Sequence, residues 1–181
     1  MLDDKGSIRE GCASGLEWAQ CRAFGRQYEL RAGDEVLGTL SWMKTFGTAA
    51  LAFCAEGQWI FERPGFFARK VEVRDAGTGT QVALFQPNWR GDGLLKLVDG
   101  RTFQWVHTSF WGTQWLFVGA AGEPLLHFRS RSRRFKMTAS VGIAPSALPA
   151  KELSLLTMLG WYLMVLRSRD ISAAAAASAA S

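Results

Sequence analysis

Histidine, cysteine and proline are scarce in this 181-residue chain, which contains two, three and five of them. The cysteines are Cys12, Cys21 and Cys54, and none of them belongs to a C-x-x-C pair. An odd number without that spacing argues against a disulfide framework and a zinc site, and it is typical of a reducing compartment. We therefore predict a cytoplasmic protein that binds no metal.

The shortage of histidine also argues against enzyme chemistry. Neither His107 nor His127 has a partner at metal-ligand spacing, and the chain contains neither H-E-x-x-H nor G-x-S-x-G. Carboxylates such as Asp75 and Asp99 fall in predicted turns, where they shape the backbone instead of sharing a proton. The sequence thus predicts no catalytic residue, no cofactor and no enzyme activity.

A hydrophobic run of membrane-spanning length is missing as well. The first residues are acidic and lack the apolar core of a secretory signal. The most apolar stretch, residues 153–166, is shorter than the ~20 residues that a transmembrane helix needs. Its length is typical of a helix buried in a protein core.

The net positive charge is confined to the last third of the chain. Residues 1–120 carry 13 Lys/Arg and 13 Asp/Glu, whereas residues 121–181 carry eight and three, so this segment supplies the whole net charge of +5. Attraction to an anionic partner should therefore originate there. No DNA- or RNA-binding motif accompanies the charge, and we predict no nucleic-acid partner.

Short β-strands separated by turn residues fill most of the chain. Asp99-Gly100 is a two-residue type I′ hairpin signal, and residues 75–79 (DAGTG) form a second hairpin loop. Consecutive hairpins without a long helix between them predict an up-and-down antiparallel meander. The predicted strands are residues 27–31, 35–42, 47–54, 58–62, 66–74, 80–86, 94–98, 102–107, 113–118, 124–129 and 134–141.

The apolar stretch after these strands has no polar face, so a helix formed by it must be enclosed on all sides. We predict an all-β domain over residues 25–169, a closed barrel of about twelve antiparallel strands around a central helix at 151–166. Residues 1–24 are expected to form a flexible arm and residues 170–181 a disordered Ala/Ser tail. The core positions predicted on the helix are Leu156, Leu159, Trp161, Tyr162 and Leu163.

A barrel of the lipocalin type, which carries a small apolar ligand in its interior, is an alternative interpretation of these strands. The helix argues against it. If Trp161, Tyr162 and Met164 fill the lumen, no pocket of useful size should remain.

Several segments resemble the tubby C-terminal-like superfamily, which includes the LURP-one-related proteins and the phospholipid scramblases. They are residues 59–66 (WIFERPGF), 69–75 (RKVEVRD) and 93–101 (GLLKLVDGR), followed by Trp105 and the helix through Gly160-Trp161-Tyr162. The resemblance covers residues 27–167 and implies a twelve-stranded barrel around a C-terminal helix. The chain has no proline-rich arm, cysteine cluster or acidic calcium-binding stretch, so scramblase activity is not what this resemblance implies here.

The basic run at residues 129–136 is the candidate binding site. Arg129, Arg131, Arg133, Arg134 and Lys136 would bind anionic membrane lipid from one turn, with guanidinium groups on the phosphates. Alternatively, the run is a solvated turn that keeps a sheet edge from pairing with other chains.

Three functions follow from these interpretations. The first is a non-catalytic LURP-one-related module, peripheral to the membrane, that binds anionic phospholipid. The second is a protein-interaction or structural module with an unknown partner and no lipid binding. The third is a scramblase-like protein anchored by its terminal helix. The sequence does not indicate an oligomeric state.

Overall fold

The computed structural model describes residues 6–22, 25–45, 47–65, 69–109, 113–133 and 136–179, apart from the side chains of residues 132 and 133. The helices are α1 (Ile8–Gly11) and α2 (Leu153–Ala179), with 3-10 turns at Cys12–Ser14 and Pro145–Ala147. The strands are β1 (Leu16–Gln20), β2 (Gln27–Ala32), β3 (Glu35–Trp42), β4 (Ala50–Cys54), β5 (Gly57–Glu62), β6 (Val71–Asp75), β7 (Gln81–Pro87), β8 (Gly93–Leu97), β9 (Thr102–His107), β10 (Gln114–Val118), β11 (Pro124–Arg133) and β12 (Lys136–Ile143).

The twelve strands form one closed antiparallel barrel in which each strand pairs with its neighbours in the chain. Strand β1 closes the wall, since it pairs with β2 on one side and with β12 on the other. Closure leaves none of these twelve described strands with a free edge for pairing with another chain. The prediction of a closed antiparallel barrel of about twelve strands around a C-terminal helix is confirmed.

The prediction of a flexible arm over residues 1–24 is wrong for β1. Leu16, Trp18 and Gln20 point into the barrel, and Glu17 points outward between them. The alternation is regular, but it extends over only five residues, which is too short to stand out among glycine and charged residues. Strand β1 is held by pairing on both sides, which only the closed barrel supplies.

The segment before β1 is also attached to the barrel. Ser7 caps α1, and its hydroxyl donates a 2.7 Å hydrogen bond to Glu56, which also accepts the backbone N–H of Ile8 at 2.9 Å. Ile8 is fully buried, and Arg9 donates to the carbonyl of Ala150 just before α2. Residues 7–9 therefore close the barrel end at which α2 begins.

Helix α2 fills the lumen with large side chains. The predicted core residues Leu156, Leu159, Trp161, Tyr162 and Leu163 are all buried. The Trp161 ring stacks on Trp18 with centroids 5.6 Å apart, and the Tyr162 ring stacks on Trp42 at 5.2 Å. Such aromatic pairs add about 0.5–1.5 kcal/mol each beyond the area they bury.

The end of α2 differs from the prediction. Residues 170–181 were expected to be a disordered tail, but the helix continues through exposed alanines to Ala179. Alanine has the highest intrinsic helix propensity, and the buried part of α2 supplies a nucleus from which the helix extends. The predicted start at residue 151 is close to the observed Leu153.

Candidate functional site

Successive connections of an up-and-down barrel lie at alternate ends, and here the two ends differ in charge. The end at which α2 leaves the barrel is formed by the described residues of connections 21–26, 43–49, 63–70, 88–92 and 108–113 and by residues 167–170. We call it the helix-exit end. Its described basic residues are Arg22, Arg26, Lys44, Arg63, Arg69, Lys70, Arg90, Arg167 and Arg169. The acidic residues described in these segments are Asp92 and Asp170.

The opposite end carries mostly acidic side chains. It is formed by α1, the turns at 33–34, 55–56, 76–80, 98–101 and 119–123, and residues 144–152. Its acidic residues are Glu10, Asp34, Glu56, Asp99, Glu123 and Glu152, against Arg9, Arg101 and Lys151. The barrel is therefore electrostatically polar along its axis, and an anionic surface is attracted to the helix-exit end.

Three large apolar side chains are exposed at the helix-exit end among these cations. Met43 is 57% exposed, Trp89 77% and Ile171 59%, and they come from two loops and from α2. The guanidinium carbon of Arg90 lies 4.5 Å from the centre of the Trp89 ring. An exposed aromatic next to arginine and lysine is the composition that favours the interface between water and lipid headgroups.

A cavity of about 430 Å³ opens at this end between α2 and strands β6 to β10. Its apolar wall includes Val71, Phe85, Trp105, Trp115, Leu163 and Leu166, and its charged lining consists of Arg63, Arg69, Arg167 and Asp170. The volume is within the range of small-molecule sites. The expectation that α2 leaves no pocket of useful size is thus wrong at the mouth, because the barrel wall and the helix diverge where α2 leaves the lumen.

The charged groups of this cavity are unequally satisfied. Both Arg63 Nη atoms pair with the Asp170 carboxylate, while Arg63 Nε is buried and has no hydrogen-bond partner in the described structure. Arg167 donates to the carbonyl of Arg90 at 3.0 Å, and its guanidinium carbon lies 5.1 Å from the centre of the Trp115 ring. The side chain of Arg69 is exposed at the mouth.

Arg169 holds the other side of the helix exit. It donates to the carbonyls of Thr45 at 2.6 Å and Gly47 at 3.3 Å, and its guanidinium carbon lies 5.0 Å from the centre of the Trp42 ring. Arg167 and Arg169 do not lie at the C-terminal end of the helix, because α2 continues beyond them, and both bind loop carbonyls around the mouth.

The predicted basic run does not form a single turn, because β11 extends through Arg133. Arg129 and Arg131 are exposed two positions apart on the outer face of β11, and Arg133 pairs by its backbone with Lys136 at the start of β12. Arg134 and the side chain of Arg133 lie outside the described residues. The structure thus brings Arg129 and Arg131 to one outer face, and the run borders the helix-exit end instead of forming its centre.

His107 and Asp92 form a pair at the margin of the same end. Asp92 accepts the backbone N–H of His107 at 2.8 Å and contacts its ring Nδ1 at 2.5 Å. Burial opposes ionisation of Asp92, but the hydrogen bonds from His107 outweigh it and lower the pKa of this carboxyl. Within the described structure no Ser, Thr or Cys side chain hydrogen-bonds to the His107 ring.

Burial of Cys54 in the wall raises the pKa of its thiol to about 12, and burial also raises that of the half-buried Cys12. The described part of the chain contains no cluster of three or more His, Cys, Asp or Glu side chains able to hold a metal ion. None of the described helices is long and apolar enough to cross a membrane.

No family model and no curated protein matches this chain. The crystal structure of a protein from Arabidopsis thaliana is similar to it, with 11% sequence identity and a TM-score of 0.49. The similarity covers 88% of this chain and 98% of that one.

Sequence reasoning missed Arg63, Arg69 and Trp89 because they come from two loops, 63–70 and 88–92, in a part of the chain with balanced charge. The connectivity holds a signal that would have found them. In an up-and-down barrel every second connection lies at the same end. Charges added over alternate connections, instead of over successive windows, would have separated the basic end from the acidic one.

Proposed function

We propose that this protein is a non-catalytic barrel module of the tubby C-terminal-like type that binds anionic phospholipid membranes through its helix-exit end. The observation that carries the proposal is the grouping of basic side chains with the exposed Trp89, Met43 and Ile171 at one end of the barrel. The resemblance of the sequence to LURP-one-related and scramblase proteins points to the same class of partner.

Electrostatics supplies the attraction in this proposal. The cytoplasmic leaflet is negatively charged, and each Lys or Arg near its surface contributes about 1 kcal/mol to binding. At physiological salt the field decays over about 8 Å, so only the end that faces the bilayer contributes fully. The acidic opposite end then faces away from the bilayer, so the barrel axis stands perpendicular to the membrane surface.

The exposed apolar side chains make a second contribution to the free energy of membrane binding. A side chain such as Trp89 inserts between headgroups and gains by burial of its ring, while neighbouring arginines remain at the phosphates. The combination of charge with insertion is what makes peripheral binding stable, because either contribution alone is weak.

Binding to vesicles with and without anionic lipid, measured by co-sedimentation at two salt concentrations, tests the proposal. The wild type is expected to bind only the anionic vesicles and to lose affinity with salt. Lys44→Gln with Lys70→Gln should reduce binding about thirtyfold, since each lysine contributes about 1 kcal/mol. The matched control is Lys96→Gln with Lys151→Gln, which removes two exposed lysines elsewhere and should change binding less than threefold.

Substitution of the outer-face pair by Arg129→Gln with Arg131→Gln measures the contribution of the basic run separately. A loss comparable to that of the lysine pair would extend the binding surface along β11. Absence of vesicle binding by the folded wild type, or an equal loss in the Lys44 and Lys70 pair and in the control pair, would contradict the proposal. A salt-independent protein partner would then favour the interaction module.

A further inference from the structure

We propose that the cavity beside α2 binds a single anionic amphiphile, with its charged head at Arg69 and Arg63 and its aliphatic chain along the apolar wall. This site goes beyond the proposed function. It is a pocket for one molecule and does not require a membrane, whereas membrane binding uses the outer surface of the helix-exit end.

The lining of the cavity has a charged part and an apolar part, which match the head and the tail of an amphiphile. The charged residues Arg63, Arg69, Arg167 and Asp170 meet apolar side chains from four strands and from α2, among them Val71 and Leu163. A neutral apolar ligand would leave the positive charges of Arg69 and Arg167 without a counter-ion, and a small hydrophilic anion would leave the apolar wall unused.

The charge of the lining favours an anion. Arg63 is neutralised by Asp170 through its two Nη atoms, so Arg69 and Arg167 remain as net positive charges. The Asp170 carboxylate would repel an anionic head at close range, and its pairing with Arg63 limits this effect.

One unpartnered donor supports the same assignment. Arg63 Nε is buried and has no hydrogen-bond partner in the described structure, although buried N–H groups in proteins are usually paired. Water does not reach this atom in the observed conformation, so a phosphate or carboxylate oxygen at the cavity mouth would accept its hydrogen after a rotation of the Arg63 side chain. Charge-assisted bonds of this kind are among the strongest in proteins.

The size of the cavity limits the ligand. A volume of about 430 Å³ lies at the lower end of the range for small-molecule sites. A cavity of this size holds one alkyl chain of medium length but not the two acyl chains of a membrane phospholipid. We therefore assign the site to the class of monoalkyl phosphates and fatty acids.

Calorimetric titration of the full chain with hexyl, octyl and decyl phosphate, below their micelle concentrations and without vesicles, tests the assignment. We expect saturable binding of one molecule, with affinity rising about fourfold per methylene until the cavity is filled. Inorganic phosphate and octanol, which are the head and the tail alone, should each bind at least tenfold more weakly than octyl phosphate. Octanoate separates the two head chemistries, and binding of either octyl anion supports the site.

Two pairs of variants test the position of the head. Arg69→Gln removes a cation that lines the cavity and should weaken octyl phosphate at least tenfold, whereas Lys70→Gln removes its exposed neighbour and should change binding less than twofold. Ile171→Asp places a carboxylate at the mouth and should also weaken binding. Ala173→Asp, about 200° around α2, should not.

An affinity that does not depend on chain length would overturn the assignment, as would equal binding of octanol or equal effects within each pair of variants. These outcomes are independent of the vesicle experiment. Loss of vesicle binding in the lysine pair with unchanged octyl phosphate binding would separate the outer surface from the cavity.

Discussion

Gly160 lies where α2 approaches the barrel wall closely, and its lack of a side chain permits the approach. A Cβ at this position would lie 2.7 Å from Cε2 and 3.0 Å from Cε1 of the fully buried Phe128. Glycine inside a helix costs about 1 kcal/mol relative to alanine. The closer packing of α2 against β11 therefore outweighs the weaker helix propensity.

Gly160→Ala should lower the free energy of unfolding by about 1–3 kcal/mol, as measured by urea denaturation, because the added methyl overpacks the core. Ser168→Ala is the matched control, since this position on α2 is partly exposed and gains helix propensity without a clash. A Gly160→Ala variant as stable as the wild type, or more stable, would contradict the close packing of α2 against Phe128.

Glu56 is the residue that ties the N-terminal segment to the barrel. Burial opposes its ionisation, but hydrogen bonds from Ser7, Cys54 and the Ile8 backbone outweigh that and lower its pKa from the ordinary 4.5. A lowered folded-state pKa stabilises the fold above the ordinary value and loses that effect as the pH falls through the folded-state value.

Glu56→Gln should therefore lower the melting temperature at pH 7, and the difference from the wild type should shrink as the pH falls below about 4.5. Thermal melts across this pH range measure it. Glu17→Gln removes an exposed carboxylate on the outer face of β1 and serves as the control. A difference that is constant with pH would show that the hydrogen bonds of Glu56 do not depend on its charge.

At the scale of the element, α2 consists of two parts with different roles. From Leu153 to Leu166 every residue is buried, and from Asp170 to Ala179 every residue is exposed. Burial of a single large apolar side chain contributes about 1.5–3 kcal/mol, so loss of the first part removes a gross contribution larger than the net 5–15 kcal/mol by which a domain is usually stable. The second part makes no comparable contribution.

Removal of residues 171–181 should leave the melting temperature within about 2 °C of the wild type, because a 1 kcal/mol change shifts a domain of this size by 2–4 °C. Removal of residues 151–181 should abolish the cooperative transition, because the barrel loses its filling. Circular dichroism melts compare the two deletions. A cooperative melt of the longer deletion would contradict the role of α2 as the core.

At the scale of the whole molecule, the polarity of the barrel predicts the orientation in which it binds an anionic bilayer. Cys21 is an exposed cysteine at the helix-exit end, and Val98 is 71% exposed in a turn at the opposite end. The fluorescence emission of an environment-sensitive dye on Cys21 should shift on addition of anionic vesicles, since this end enters the headgroup region.

The control carries the same dye on Val98→Cys with Cys21→Ser, and it should show no shift. Cys54 should not react in either protein near neutral pH, because burial raises the pKa of its thiol to about 12. An equal shift at both ends would show adsorption without a preferred orientation and would contradict the polar arrangement.

The sequence predicted the architecture because its signals are local. Turn pairs such as Asp99-Gly100 fix hairpins between strands that are neighbours in the chain, and residues 153–166 require enclosure because they have no polar face. Both signals are contained in short windows, and an up-and-down barrel needs little further information about which strands pair.

The features that the sequence did not predict arise from contacts between residues that are far apart in the chain. Strand β1 becomes a strand by pairing with β12, more than a hundred residues away, and Arg63, Arg69, Arg167 and Trp89 meet only after closure. By itself the sequence determined the hairpins, the number of predicted strands to within one, and the burial of the terminal helix. Only the tertiary structure decided which end is basic and where the cavity opens, because barrel closure places every second connection at the same end.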